Sequence, residues 1–88
     1  MAGAFLPESI LLDVSALTPP EPLEKILSTL DQLKRGVYLR VLHKQDPFLL
    51  YPFLAKRGFR HHVRPGKDTG VEILIWHKDD AEIGNMFE

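Results

Sequence analysis

Eighty-eight residues hold about one small domain, on the usual scale of roughly 100–200 residues per domain, and 44% hydrophobic with 26% charged residues fits a folded soluble chain rather than a disordered one. Eleven Lys and Arg against 12 Asp and Glu leave a net charge of -1, so no global field draws in nucleic acid or an anionic membrane. Cysteine is absent, which excludes disulfides, thiolate metal sites, cysteine nucleophiles and sulfur carriage on this chain.

In chain order, Met1 to Ser9 (MAGAFLPES) lacks the basic and apolar regions of a secretory signal and reads as a flexible N-terminus, residues 1–9. No window approaches the roughly 18 apolar residues of a membrane span, so no membrane contact and a cytoplasmic location are the expectation. Ile10-Leu11-Leu12-Asp13-Val14 is a short β-branched run and predicts a buried strand. Leu23, Ile26, Leu27, Leu30 and Leu33 then fall on one helical stripe. Thr18 with Glu21 predicts a capping box at its start, and Lys34, Arg35 and Gly36 predict its end.

Val37 to His43 alternates by twos and predicts a second strand. Asp46-Pro47 has the form of an N-cap and first-turn proline, opening a helix that closes on Gly58. Pro52 inside that stretch predicts a short, kinked or late-starting helix. Phe59 to Arg64 alternates again, Pro65 to Gly70 reads as a loop, and Val71 to His77 is the last and clearest strand. The run Lys78 to Glu88 has two readings: a frayed tail, or docking of Ile83, Met86 and Phe87 on the domain or a neighbouring copy.

The order β-α-β-α-β-β predicts one domain over residues 10–77, with residues 78–88 as a tail. Its expected class is an α+β two-layer sandwich, a four-stranded mixed sheet with two helices on one face. The opposite sheet face is then left uncovered by the chain. Period two assigns Tyr38, Arg40, Leu42, Arg60, His62, Arg64, Glu72, Leu74 and Trp76 to it. Tyr, Trp and Arg are enriched at binding hot spots, so this face is a candidate partner surface. The plainer alternative is a solvent face with cross-strand pairs such as Arg40–Glu72. Arginines beside aromatics can also grip nucleic acid, but three of them on a chain of net charge -1 do not support that reading.

Asp13 to Pro22 (DVSALTPPEP) ahead of an amphipathic helix resembles the start of the small sulfur-carrier proteins of the TusA/SirA-like superfamily. Pro20-Glu21-Pro22 matches the Pro-x-Pro part of that family's Cys-Pro-x-Pro box, with Pro19 where the family carries its cysteine. Asp46-Pro47 matches a recurrent Asp-Pro at the second helix. The chain looks closer still to a cysteine-less bacterial branch of uncharacterised domains, through Leu12-Asp13-Val14, Pro19 to Pro22, and the spacing of His43, Pro47, Leu50 and Tyr51. The resemblance covers roughly Leu11 to His77 and implies the βαβαββ sandwich. It does not carry sulfur transfer with it, because the ring of Pro19 has no nucleophile to hold a persulfide.

Other chemistry is sparse. Pro19, Pro20 and Pro22 lack N–H groups and Glu21 is acidic, so the first helix start disfavours phosphate; it reads as a rigid turn, or else as a recognition edge. Of the four histidines, His61 and His62 point to opposite faces of a strand. His43 and His77 end strands and could meet at a sheet edge beside Asp46 or Asp79, although no spacing matches a metal motif and no metal or cofactor is expected. His43, Asp46 and Tyr51 could line a small ligand pocket, or Tyr51 and His43 could simply make local hydrogen bonds. Ser9, Ser15 and Ser28 build no nucleophile–base pair, so no enzyme is expected.

The leading expectation is a non-catalytic adaptor acting on a protein partner or as a homodimer. It would act through the open face, by Tyr38, Arg40, Leu42, Leu74 and Trp76, and through the Pro19–Pro22 edge, with His62, His43, Asp46 and Tyr51 as further candidate contacts. The alternatives are a small metal- or redox-associated protein using His43 and His77, and an accessory to a sulfur relay through a partner's thiol.

Overall fold

The computed structural model describes residues 7–66 and 70–88, so Met1 to Leu6 of the expected flexible N-terminus and residues 67–69 of the expected loop lie outside the described residues. The elements are β1 (Glu8–Asp13), α1 (Glu21–Leu30), β2 (Val37–His43), α2 (Leu50–Lys56), β3 (Phe59–Pro65), β4 (Val71–His77) and α3 (Ala81–Phe87). The strands make one mixed sheet in the order β1-β2-β4-β3. β1 runs parallel to β2, while β4 lies antiparallel to both β2 and β3. The α+β class, the βαβαββ order and the closing hairpin are as the sequence predicts.

Alternation sorts the two faces. Leu39, Val41, Ile73 and Ile75 pack with Ile26 and Leu30 of α1 and Leu50 and Leu54 of α2, with Val14 and Leu33 completing that core. Burying each such side chain contributes roughly 1.5–3 kcal/mol, so this layer is the main source of stability. Several local expectations are corrected. β1 is not a buried strand: it lies at the edge of the sheet, with Ile10 and Leu11 exposed. The Thr18–Glu21 capping box does not form; Pro20 takes the cap position without a side-chain hydrogen bond. Proline offers no N–H two residues after Thr18, and the Glu21 amide donates to the Thr18 carbonyl instead. The Pro19–Pro20 peptide bond is cis.

α1 also ends before the predicted stripe does. The amides of Gln32 and Leu33 donate three residues back, to Thr29 and Leu30, tightening the chain so that Leu33 turns into the core. Lys34 and Arg35 therefore lie past the helix, and Gly36, at φ +82, serves the turn into β2. α2 starts late, as Pro52 predicts: proline occupies the first turn, where its missing donor has no intrahelical partner to lose. The Asp46-Pro47 cap is corrected. Leu49 is the cap residue, and the Asp46 carboxylate has a different hydrogen bond.

The largest correction is on the outer sheet face. Of the two readings of the tail, fraying is overturned and docking on the domain holds for Ile83 and Phe87, because Ala81–Phe87 forms a third helix against that face. Ile83 and Phe87 pack on Leu74, Trp76 and Tyr38, while Met86 points away and is exposed. Ile83 and Phe87 stand four residues apart, one above the other on a helix, which is why these two dock together. The Gly36 amide donates to the Asp80 carboxylate at 3.0 Å, and Arg60 pairs with Glu88 at 3.1 Å, fixing both ends of the segment.

Candidate functional site

β1 and β2 are parallel, so their C-terminal ends open on one side of the molecule, where chain crossovers leave a crevice. Two walls meet there. Pro19, Pro20, Pro22, Leu23 and Ile26 form one; His43, Gln45, Asp46, Pro47, Phe48, Leu49 and Leu50 form the other. They enclose a cleft of about 340 Å3, within the range of ligand and side-chain binding pockets. The proline wall has few free amides, and its surface is carbon. On the rim Phe48 is 73% exposed and Leu49 79%, the most exposed large apolar side chains described. The family-motif prolines and the His43–Asp46 segment, which the sequence presents as separate candidates, are thus the two sides of one site.

Polar groups stand on the His43–Leu50 wall, and Tyr51 and His61 adjoin them outside the lining. The Gln45 amide donates to His43 Nδ1 at 3.3 Å, which leaves Nε2 as the protonated nitrogen of the neutral ring. Burial holds the His43 imidazole below its ordinary pKa, Lys44 lowers it further, and Asp46 opposes both. The Tyr51 hydroxyl donates to the Asp46 carboxylate, so Tyr51 does hydrogen-bond locally. Burial, that hydrogen bond and the Asp46 charge together push the Tyr51 hydroxyl well above its ordinary value. His61 stacks flat on the Tyr51 ring, 4.1 Å between centroids and 4° between planes. It too is held low by burial, against the pull of Asp46. The sequence names His43, Asp46 and Tyr51; it misses His61, whose place on the helix side of β3 follows from its parity with Phe59 and Val63.

The backbone fastens this corner. Gly70, at φ +77, lies so close that a Cβ there would stand 2.2 Å from the His43 carbonyl oxygen and 2.9 Å from Lys44 Cα. No side chain fits at that approach, and the β3–β4 hairpin thereby braces the turn after β2.

The open-face candidates divide. Trp76 and Leu74 are fully buried under α3 and Tyr38 is half-buried against Phe87, so Trp76 is not an exposed contact residue. The Trp76 indole N–H has no hydrogen-bond partner among the described residues. At the other end of the same face, the expected Arg40–Glu72 pair forms at 2.7 Å, and Arg64 joins it at 2.9 Å on the second carboxylate oxygen. Burial raises the Glu72 carboxyl, but the two arginines outweigh it and hold it below its ordinary range. His62 is exposed beside them.

His43 and His77 do not meet. β2 and β4 are antiparallel, with His43 opposite Val71, so His77 lies at the far end of β4, about 20 Å along the strand at 3.3 Å per residue. There its Nε2 is 2.7 Å from the Leu33 carbonyl and its ring packs on Phe59. Among the described residues no group of three or more His, Asp or Glu side chains converges as a metal site. No described helix is long and apolar enough to cross a membrane.

Searches of curated proteins and of solved structures find no match to this chain. A family match runs over residues 11–77, from within β1 to the end of β4, and so takes in both walls of the cleft but not α3. The chain belongs to the family described as "Uncharacterized conserved protein (DUF2249)".

Proposed function

We propose that this chain is a small cytoplasmic, non-catalytic binding module that holds a protein partner in the cleft between the Pro19–Ile26 and His43–Leu50 walls. The observation that carries the reading is the pair Phe48 and Leu49, about three-quarters exposed at the lip of an apolar recess. Large apolar side chains next to a concave apolar wall are the anatomy of an interaction site, whereas a solvent surface keeps such residues scattered. The resemblance to the TusA/SirA-like superfamily supports the same place: Pro19 to Pro22 stand in the cleft wall, at the helix start where those proteins carry their cysteine. What the sequence retains there is a shaped apolar turn without a thiol, which suits recognition and not group transfer. The partner surface thus moves from the Trp76 face, which the chain covers itself, to the opposite end of the fold.

Site-specific photo-crosslinking in the native host tests this. A benzophenone side chain replacing Phe48 is expected to trap a protein adduct, while the same group replacing Met86, an exposed apolar residue on α3, is expected to trap none. Equal yields from the two positions, or no adduct from Phe48, overturn the reading.

A further inference from the structure

The cleft has a property that points to its occupant: protrusion and recess belong to the same patch. Phe48 and Leu49 project from one wall, and the hollow they border is closed by the other. A two-fold axis beside such a patch places the projecting wall of each copy against the proline wall of the other, so that each contact is made twice. Resting on the reading of the cleft as a protein-binding site, we propose that its partner is a second copy of this chain, with Phe48 and Leu49 of each protomer seated in the other's cleft.

Charge and area agree with this pairing. Beside the projecting wall stands exposed Lys44, the Asp46 carboxylate of that wall being taken up by the Tyr51 hydroxyl, and beside the proline wall stand exposed Glu21 and Glu24 in the first turn of α1. None of Lys44, Glu21 and Glu24 has an ion-pair partner among the described residues, although five ion pairs form elsewhere. The two-fold arrangement sets Lys44 toward Glu21 and Glu24 twice, which favours this docking and disfavours a parallel stacking of like walls. An aromatic side chain buries roughly 150–250 Å2, so Phe48, Leu49 and the walls they cover in both copies total on the order of 1,000 Å2, the lower end of specific interfaces. An interface of that size suits a reversible dimer rather than a permanent one.

Sedimentation velocity on the purified full chain, from low micromolar to millimolar concentration, is expected to show the 10.1 kDa monomer giving way to a species of twice that mass. Phe48→Glu with Leu49→Ser is expected to abolish the larger species while leaving the thermal melt of the monomer unchanged, since both positions are solvent-facing. Lys44→Glu alone is expected to weaken association about tenfold, and adding Glu21→Lys with Glu24→Lys to restore it, a rescue that general damage to the fold cannot imitate. A monomer at every concentration overturns the inference, as does a dimer that persists in Phe48→Glu or a charge exchange that fails to rescue. If the chain stays monomeric while Phe48 still crosslinks to a different protein, the second copy is the wrong occupant and the cleft remains a partner site; if neither occurs, both fall.

Discussion

Two apolar regions on opposite faces of the sheet differ in one respect, the presence of a cover. Leu74, Trp76 and half of Tyr38 lie beneath Ile83 and Phe87 of α3, so a face that alternation marks as outward becomes a second, smaller core. Phe48 and Leu49, beside the proline wall, have nothing of the chain over them. Residue type does not separate the two regions, since both pair an aromatic ring with branched aliphatic side chains. A few residues after β4 decide which is interior and which stays exposed. The covered patch should therefore respond to substitution as a core does, and the open one should leave the stability of the monomer nearly unchanged.

The largest expected effect follows from the covered patch. Trp76→Ala should cost about 3–5 kcal/mol of folding stability, read as a lowered urea midpoint. Trp76→Phe should cost clearly less, because it keeps an aromatic ring while removing a buried donor that has no acceptor. A Trp76→Ala variant as stable as the parent would mean that α3 does not cover this face.

Gly70→Ala comes next. It forces a side chain into a positive-φ site against the His43 carbonyl, and should cost about 1–3 kcal/mol or more from backbone strain and collision. The measurable companion is a shift in the amide resonances of Lys44 and Gln45, since those residues sit where the new atom intrudes. Loss of stability without that shift would separate the hairpin from the cleft corner.

A smaller effect is set by pH. His43 and His61 are both held below their ordinary value of 6.5, so the folded chain binds protons less readily than the unfolded chain. Their contribution is fully present above 6.5 and is lost as pH falls through that value toward the lowered folded ones. The depressed Glu72 and Asp13 carboxyls add a further loss in the acid range, with the same sign. Denaturation midpoints across this span should decline toward acid, and His61→Gln should flatten the upper part; a rise on acidification would contradict the assigned directions. The smallest effect belongs to the open patch: Phe48→Ser and Leu49→Ser should each change monomer stability by no more than about 0.5 kcal/mol in either direction. A loss of several kcal/mol would make them core residues after all.

How far the sequence carries these conclusions depends on the range of the interactions. Strand alternation and the α1 stripe are local, and they give Leu39, Val41, Ile73 and Ile75 their places correctly. Pro52 predicts the late start of α2 because the donor it lacks is a local matter. The Thr18 cap fails over a detail equally local, the missing amide of Pro20. The fate of Trp76 is of another kind, since it depends on Ile83 and Phe87 reaching back across the sheet, and their four-residue spacing shows a helix face without saying what the face covers. His43 and His77 illustrate the cost of guessing strand direction, because antiparallel pairing of β2 with β4 sends the two to opposite ends. The cleft itself is a meeting of residues some two dozen positions apart along the chain. The pieces are legible singly, and only the parallel pairing of β1 with β2 joins them.

The strand order has a consequence for how the chain is made. β4 holds the sheet together from a central position between β2 and β3, yet it is the last strand to be synthesised. About 34 residues separate the end of β2 from the end of β4, which a ribosome translating at roughly 5–20 residues per second covers in on the order of 2–7 s. Through that interval the β1–β2 pair carries an unsatisfied edge where β4 will lie, and β3 has no neighbour to join. Nascent chains should accordingly stay open to proteases until residue 77 has emerged and then close in a single late step, making stalled translation products shorter than that the species most prone to aggregate.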